Sequence, residues 1–223
     1  MLPNKLRLTR ELVNRLPKRT DERGPISVLD PSDDYYTKTA TDIMGQLDLS
    51  GKVWIFAAGS LIWNPRMDVA ERRVANVEGW RRAFCLADRR FRGSPSRPGL
   101  MMALDRGERC QGVAMRMNGG SDISKHLIDL LKKEPPIPPE LVMAQTDKGS
   151  VQALVFAAKP DFPFYQSEPP LEDLADILAT SVGYIGTMAE YLFNTSVELQ
   201  RARVHDAHLW QLQDLVAKRL ECI

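Results

Sequence analysis

Residues Lys52 to Pro65 read K-V-W-I-F-A-A-G-S-L-I-W-N-P. After the lysine, the residues up to Ala58 form a short apolar run, which Gly59-Ser60 ends. A run of that length closed by a turn signal predicts a buried strand over 52–58. A strand ending in Gly-Ser leaves backbone N–H groups pointing into a cleft, and such groups can bind a carboxylate or an oxyanion. The same residues also suit a plain strand-to-turn transition in which glycine supplies the dihedral freedom. Ser60 invites a nucleophile reading, but a serine nucleophile needs an adjacent base. The sequence places none of His126, His205 and His208 beside it.

Working outward, β-friendly stretches flank Gly79 within 73–87. A loop rich in arginine, glycine and proline follows from Arg89 to Pro98. Leu100–Leu104 and Cys110–Met117 then read as a hairpin turning at Asp105-Arg106-Gly107, with Val113, Met115 and Met117 alternating on one face. A helix begins at Ser121 or Asp122 and carries Ile123, Leu127, Leu130 and Leu131 on one side. Pro135 disfavours helical geometry at the residue before it, so the helix should end at about Lys133. A second hairpin spans Leu141–Thr146 and Val151–Ala157 across Asp147-Lys148-Gly149. Three helical stretches complete the chain: Leu171 to about Val182, about Thr187 to Arg203, and Asp206 to Leu220. Strands followed by helices predict an α+β domain rather than a doubly wound sheet. Upstream, Thr9 can cap a short helix through Leu16. Pro17, Gly24, Pro25 and Pro31 then break the chain repeatedly. Residues 1–50 are therefore expected to be an N-terminal arm without a core of its own, and residues 51–223 the domain.

The 223-residue chain carries 30 Lys+Arg against 29 Asp+Glu, without the basic excess of a nucleic-acid binder. The mostly apolar run Val53–Trp63 is too short to span a membrane, which takes about 20 residues. Cys85, Cys110 and Cys222 form neither a disulfide framework nor a metal-ligand spacing. His205 and His208 read as surface or capping residues, so no metal site is expected. The N-terminus has no apolar stretch of the secretory kind, and a cytoplasmic location is expected.

The stretch Ala58-Gly59-Ser60-Leu61-Ile62-Trp63-Asn64-Pro65 resembles the Y-G-S-L-I-W-x-P signature of the ChaC family, the glutathione-specific γ-glutamylcyclotransferases. Several later segments resemble that family in order. They are Glu71-Arg72, Gly79-Trp80-Arg81-Arg82-Ala83-Phe84-Cys85, Arg92-Gly93-Ser94-Pro95 with Arg97-Pro98-Gly99-Leu100, and Cys110-Gln111-Gly112-Val113-Ala114. Glu190-Tyr191-Leu192 and His205-Asp206 through Leu209-Trp210 are similar to the C-terminal helices of bacterial members. The resemblance runs from about Val53 to Leu220 and implies the γ-glutamylcyclotransferase-like fold, a small mixed β-barrel or sheet with packed helices. It departs at Ala58, which stands where the family has tyrosine, and at Ala57, where it has glycine.

The resemblance also implies a catalytic glutamate at the end of an "L-x-x-L-x-x-R-E" helix. Leu127 through Glu134 fills that place, with Lys133 for the arginine. A carboxylate at a helix C-terminus meets the negative end of the dipole, which raises its pKa and suits a general base near neutral pH. Read without the resemblance, Glu134 is equally a solvated helix-end residue. The implied reaction closes the γ-glutamyl group of glutathione into 5-oxoproline and releases cysteinylglycine, with no cofactor. The backbone of Gly59, Ser60, Leu61 and Ile62 is the expected seat of the γ-glutamyl end. Arg92 is a candidate partner for a substrate carboxylate and, equally, a structural loop arginine. Ala58 keeps two alternatives in view: a regulatory or non-catalytic member of the fold, and a cyclotransferase for another γ-glutamyl amine.

Overall fold

The computed structural model describes residues 5–25, 31–47 and 52–223. The chain divides into two compact units, each assembled from separated stretches. One comprises residues 27–81 and 104–157. The other comprises residues 1–26, 82–103 and 158–223. Residues of the expected arm are found in both.

The first unit is built on a closed barrel in the order β1-β3-β2-β4-β5. Its strands are β1 (Trp54–Ala57), β2 (Val69–Asp88), β3 (Gly99–Met117), β4 (Glu140–Thr146) and β5 (Gly149–Val155). Strands β2 and β3 are long enough to continue into the second unit's residues. Every residue of β1 is buried, which accounts for its unbroken apolar sequence, since a strand covered on both faces does not alternate. It pairs antiparallel with β3, Phe56 opposite Ala114 and Ala57 opposite Val113, and parallel with β5 at Ile55 and Leu154. Trp54, Phe56 and Ala58 enter one core cluster with Val77, Trp80, Leu104, Cys110 and Val155. Gly112 lets β3 approach β1: a Cβ there would lie 2.5 Å from the Ala57 carbonyl oxygen.

The expected β4–β5 hairpin is present. Thr146 pairs with Gly149, and Gly149 supplies the left-handed backbone (φ 99°) that the tight turn requires. The expected hairpin at 105–107 is not: β3 runs through it without a turn. Gly107 has no positive φ. It is small because Arg81 fills the space a side chain would take, its Cβ 2.7 Å from where a Cβ of residue 107 would sit. Arg81 Nη2 bonds Asp105 Oδ2 at 3.0 Å, and the Arg106 guanidinium lies over the Trp80 ring. Each residue of the apparent turn therefore has a cross-strand partner instead.

Among the described residues, two α-helices belong to this unit. Helix α2 (Asp33–Gln46) falls in the expected arm, beyond the short Thr9-capped helix that was the one expected there. Ser32 caps it, accepting from the Tyr35 N–H at 3.4 Å, and Asp33 and Asp34 complement its N-terminal dipole. Helix α3 (Ile123–Leu131) buries Leu127, Leu130 and Leu131, and α2 packs on it.

The second unit is mainly helical. It contains α1 (Arg10–Val13), α4 (Leu171–Thr180), α5 (Met188–Arg201), α6 (Ala207–Glu221) and a two-stranded ribbon of β6 (Val182–Gly183) and β7 (Gly186–Thr187). Thr9, Thr187 and Asp206 cap α1, α5 and α6 through their side chains. Cys85 and Cys110 are buried thiols, as expected of packing residues.

Candidate active site

The motif after β1 folds as one turn of 3-10 helix, Ser60–Ile62. The amide of Ile62 donates to Gly59 O, and those of Trp63 and Asn64 donate to Ser60 O. The Ile62 N–H is thus spent inside the turn. The amides that open such a turn have no acceptor within it, and Gly59, Ser60 and Leu61 contribute those. Arg72, from the Glu71-Arg72 pair at the start of β2, fixes the turn from its other end. Its Nη1 donates to Ile62 O at 2.9 Å. Glu71 is held beside it by Arg73, Lys148 and Arg116.

Helix α3 ends at Leu131, with Lys132 as its C-cap, slightly earlier than Pro135 alone predicts. Lys132 N–H donates to Ile128 O and Lys133 N–H to Leu130 O, closing the last turn. Glu134 follows in irregular backbone, its side chain only 11% exposed. Burial raises its carboxyl pKa to about 7, against the opposing pull of the Arg66 guanidinium. The direction matches the expectation from sequence, but the main cause is desolvation rather than the helix dipole.

Arg66 was passed over in the sequence, where nothing but its place after Pro65 marks it. Its backbone is left-handed (φ 54°). Its Nη1 donates to the Lys133 carbonyl, its Nε lies 3.8 Å from Glu134 Oε1, and Lys133 Nζ donates to Arg66 O at 3.2 Å. This reciprocal pair ties the chain leaving the 3-10 turn to the segment carrying Glu134. Arg66 is four positions on from Ile62, so their Cα atoms are at most about 14 Å apart.

Arg92 belongs to the other unit. It is buried, and its Nη1 donates to Thr187 O at 2.9 Å and Glu190 Oε2 at 3.1 Å. Asp88 organises its loop by accepting from the backbone N–H groups of residues 90 to 93. His208 meets Glu168 at 3.3 Å, and the His205 ring packs at a tilt against that of Trp210. Among the described residues, no group of three or more His, Cys, Asp and Glu side chains could hold a metal ion, and no helix is long and apolar enough to cross a membrane.

A carboxyl balanced between its protonated and ionised forms at neutral pH can both take and return a proton. Backbone amides at the mouth of a turn can hold a developing negative charge. Known proteins sharing this sequence pattern carry names of that chemistry. The chain is 36% identical over 174 residues to the glutathione-specific gamma-glutamylcyclotransferase of Escherichia coli K12, covering 76% of this chain and 75% of that protein. It is 31% identical over 180 residues to the human glutathione-specific gamma-glutamylcyclotransferase 1, covering 76% and 81%. Among solved structures, a yeast gamma-glutamyl cyclotransferase specific to glutathione superposes with a TM-score of 0.65 at 18% identity, covering 75% of this chain and 99% of that one. At that identity the likeness establishes the γ-glutamylcyclotransferase fold. The model of the ChaC-like protein family matches residues 53–219, a span that takes in the turn, the barrel strands and the Glu134 helix, and this chain belongs to that family.

Proposed function

We propose that this protein is a γ-glutamylcyclotransferase that cleaves glutathione to 5-oxoproline and cysteinylglycine, with Glu134 as general base and then general acid. The observation that carries the reading is Glu134 itself: a buried carboxyl, its pKa raised to about 7, at the position the family pattern assigns to catalysis. The names of the relatives support the substrate. Glu134 takes a proton from the α-ammonium of the γ-glutamyl group. The freed amine attacks the γ-carbonyl carbon, a C–N bond forms, and a five-membered ring closes. The γ-amide C–N bond then breaks, the proton held by Glu134 passes to the departing cysteinyl amine, and the ring nitrogen gives up its second proton, which ends on the released amine through solvent, leaving the neutral lactam. Because the attack is intramolecular, most of the acceleration comes from holding the substrate in a folded conformation. The 3-10 turn of Gly59, Ser60, Leu61 and Ile62 receives the γ-glutamyl end, its leading amides serving the carbonyl oxygen. These transfers use no cofactor. Arg92 enters this reading as a structural residue that ties its loop to the start of α5, given its bonds to Thr187 and Glu190. Reduced Cys85, Cys110 and Cys222 fit a cytoplasmic setting.

Ala58 favours a second reading of the substrate. It is buried among the barrel's interior residues where the family pattern has a tyrosine, a difference that bears on which γ-glutamyl amine is accepted. The test incubates the purified protein with glutathione and with γ-glutamyl amines of graded size, measuring 5-oxoproline. The largest kcat/KM is expected for glutathione. A clear preference for a bulkier amine selects the second reading, and no 5-oxoproline from any of them removes the enzymatic one.

A further inference from the structure

The chain after α3 reads Glu134-Pro135-Pro136-Ile137-Pro138-Pro139. Four of these residues lack a backbone N–H, so the segment cannot fix itself in a ladder or a helix. Ile137 N–H is spent locally on Pro135 O at 2.7 Å. The segment can chiefly accept hydrogen bonds, and its position must come from donors and surfaces on other elements. One such donor is Arg66, bonded to the Lys133 carbonyl just before Glu134. Another donor, an ion-pair partner and an apolar surface come from α2, which lies before the first family-matched residue. The Tyr35 hydroxyl donates to Pro136 O at 3.4 Å, longer than a full-strength bond of its kind. Asp33 Oδ1 pairs with Lys132 Nζ at 2.6 Å. Tyr35, Tyr36 and Thr39 line one side of a small cleft whose other side is Leu131, Pro135 and Pro136.

We propose that α2 is a positioning element for Glu134: the Tyr35 and Tyr36 face holds the proline segment against the barrel unit so that the carboxyl stays buried. Tyr35 and Tyr36 are positioning residues, acting through Pro135 and Pro136 and not on substrate. The proposal rests on the reading of Glu134 as the base. The charged and titratable groups around the segment are Arg66, then Lys132 and Lys133 at the end of α3, and Asp33, Tyr35 and Tyr36 from α2. Of these, Arg66 lies within ion-pair range of Glu134.

The test uses the full chain in wild-type, Tyr35→Ala and Tyr35→Phe forms. The Glu134 carboxyl is titrated by 13C NMR, with its resonance assigned from Glu134→Gln, and glutathione turnover is followed across pH. Loosening the segment lets water reach the carboxyl. In Tyr35→Ala the titration midpoint should therefore fall by about one pH unit. The rising limb of kcat/KM should move to lower pH with it. The value of kcat should drop about tenfold while KM stays within about twofold. Tyr35→Phe keeps the ring and should return all of these close to wild type; failure of that rescue contradicts the packing account. If Tyr35→Ala does not fold, Tyr35→Leu replaces it with the same expectation. An unchanged midpoint and unchanged kcat in a folded variant overturn the proposal. The titration needs no turnover, so a wild-type protein inert on glutathione defeats the assigned reaction while the midpoint still decides what α2 does.

Discussion

Glu134 has two opposing neighbours in energy: the low-dielectric surroundings that favour its neutral form and the Arg66 guanidinium that favours the ion. The sign of each gives a prediction. Activity needs ionised Glu134, so kcat/KM should rise with pH through about 7, where the burial-raised carboxyl loses its proton. Arg66→Met removes the ion-favouring charge and should move that limb to higher pH, measured as kcat/KM for glutathione from pH 5 to 9. A limb displaced to lower pH would mean that Arg66 does not act on the carboxyl in this way. At this scale the sequence was partly legible. Pro135 marks the helix end, and the family pattern marks the glutamate. What dominates its pKa is burial, a product of packing that no local pattern encodes. Arg66 was invisible for the same reason: its partners lie 67 residues away at Lys133, and nothing in N-P-R announces them.

Elements were legible where their own residues demanded a backbone. Asp147-Lys148-Gly149 announced the β4–β5 turn because Gly149 must be left-handed there. Ser32-Asp33-Asp34, followed by apolar residues at Tyr36, Ala40 and Ile43, held the capping and periodicity signals of α2, but the surrounding prolines and glycine led to its being read as an arm. The D-R-G at 105–107 misled because glycine has two uses, a left-handed turn or close approach, and only the structure shows that Arg81 takes the space beside Gly107. Gly112 is a second close-approach glycine, and it serves the site, since β1 delivers the 3-10 turn. A Cβ at Gly112 would meet the Ala57 carbonyl oxygen at 2.5 Å and the Phe56 ring at 2.7 Å. Gly112→Ala should therefore push β3 from β1 and lower stability by about 1–3 kcal/mol, read from urea unfolding. An unchanged midpoint would show that the strands separate there without cost.

At the scale of the whole chain, the α+β class followed from the order of strands and helices, and the fold from the family resemblance. The division into two compact units did not, because β2 and β3 each contribute residues to both and a reading along the chain sees only consecutive stretches. The family match begins at residue 53, yet α2, before that point, packs on the helix that leads to Glu134. The account of the molecule thus converges on one carboxyl, and one comparison addresses it directly: the rate of 5-oxoproline release from glutathione by the wild-type protein and by Glu134→Gln near pH 8. Glutamine keeps the size of the side chain but cannot accept the proton. The wild type is expected to turn over, and Glu134→Gln to lose at least about 100-fold in kcat while remaining folded by circular dichroism. A folded Glu134→Gln protein with wild-type kcat would contradict the account.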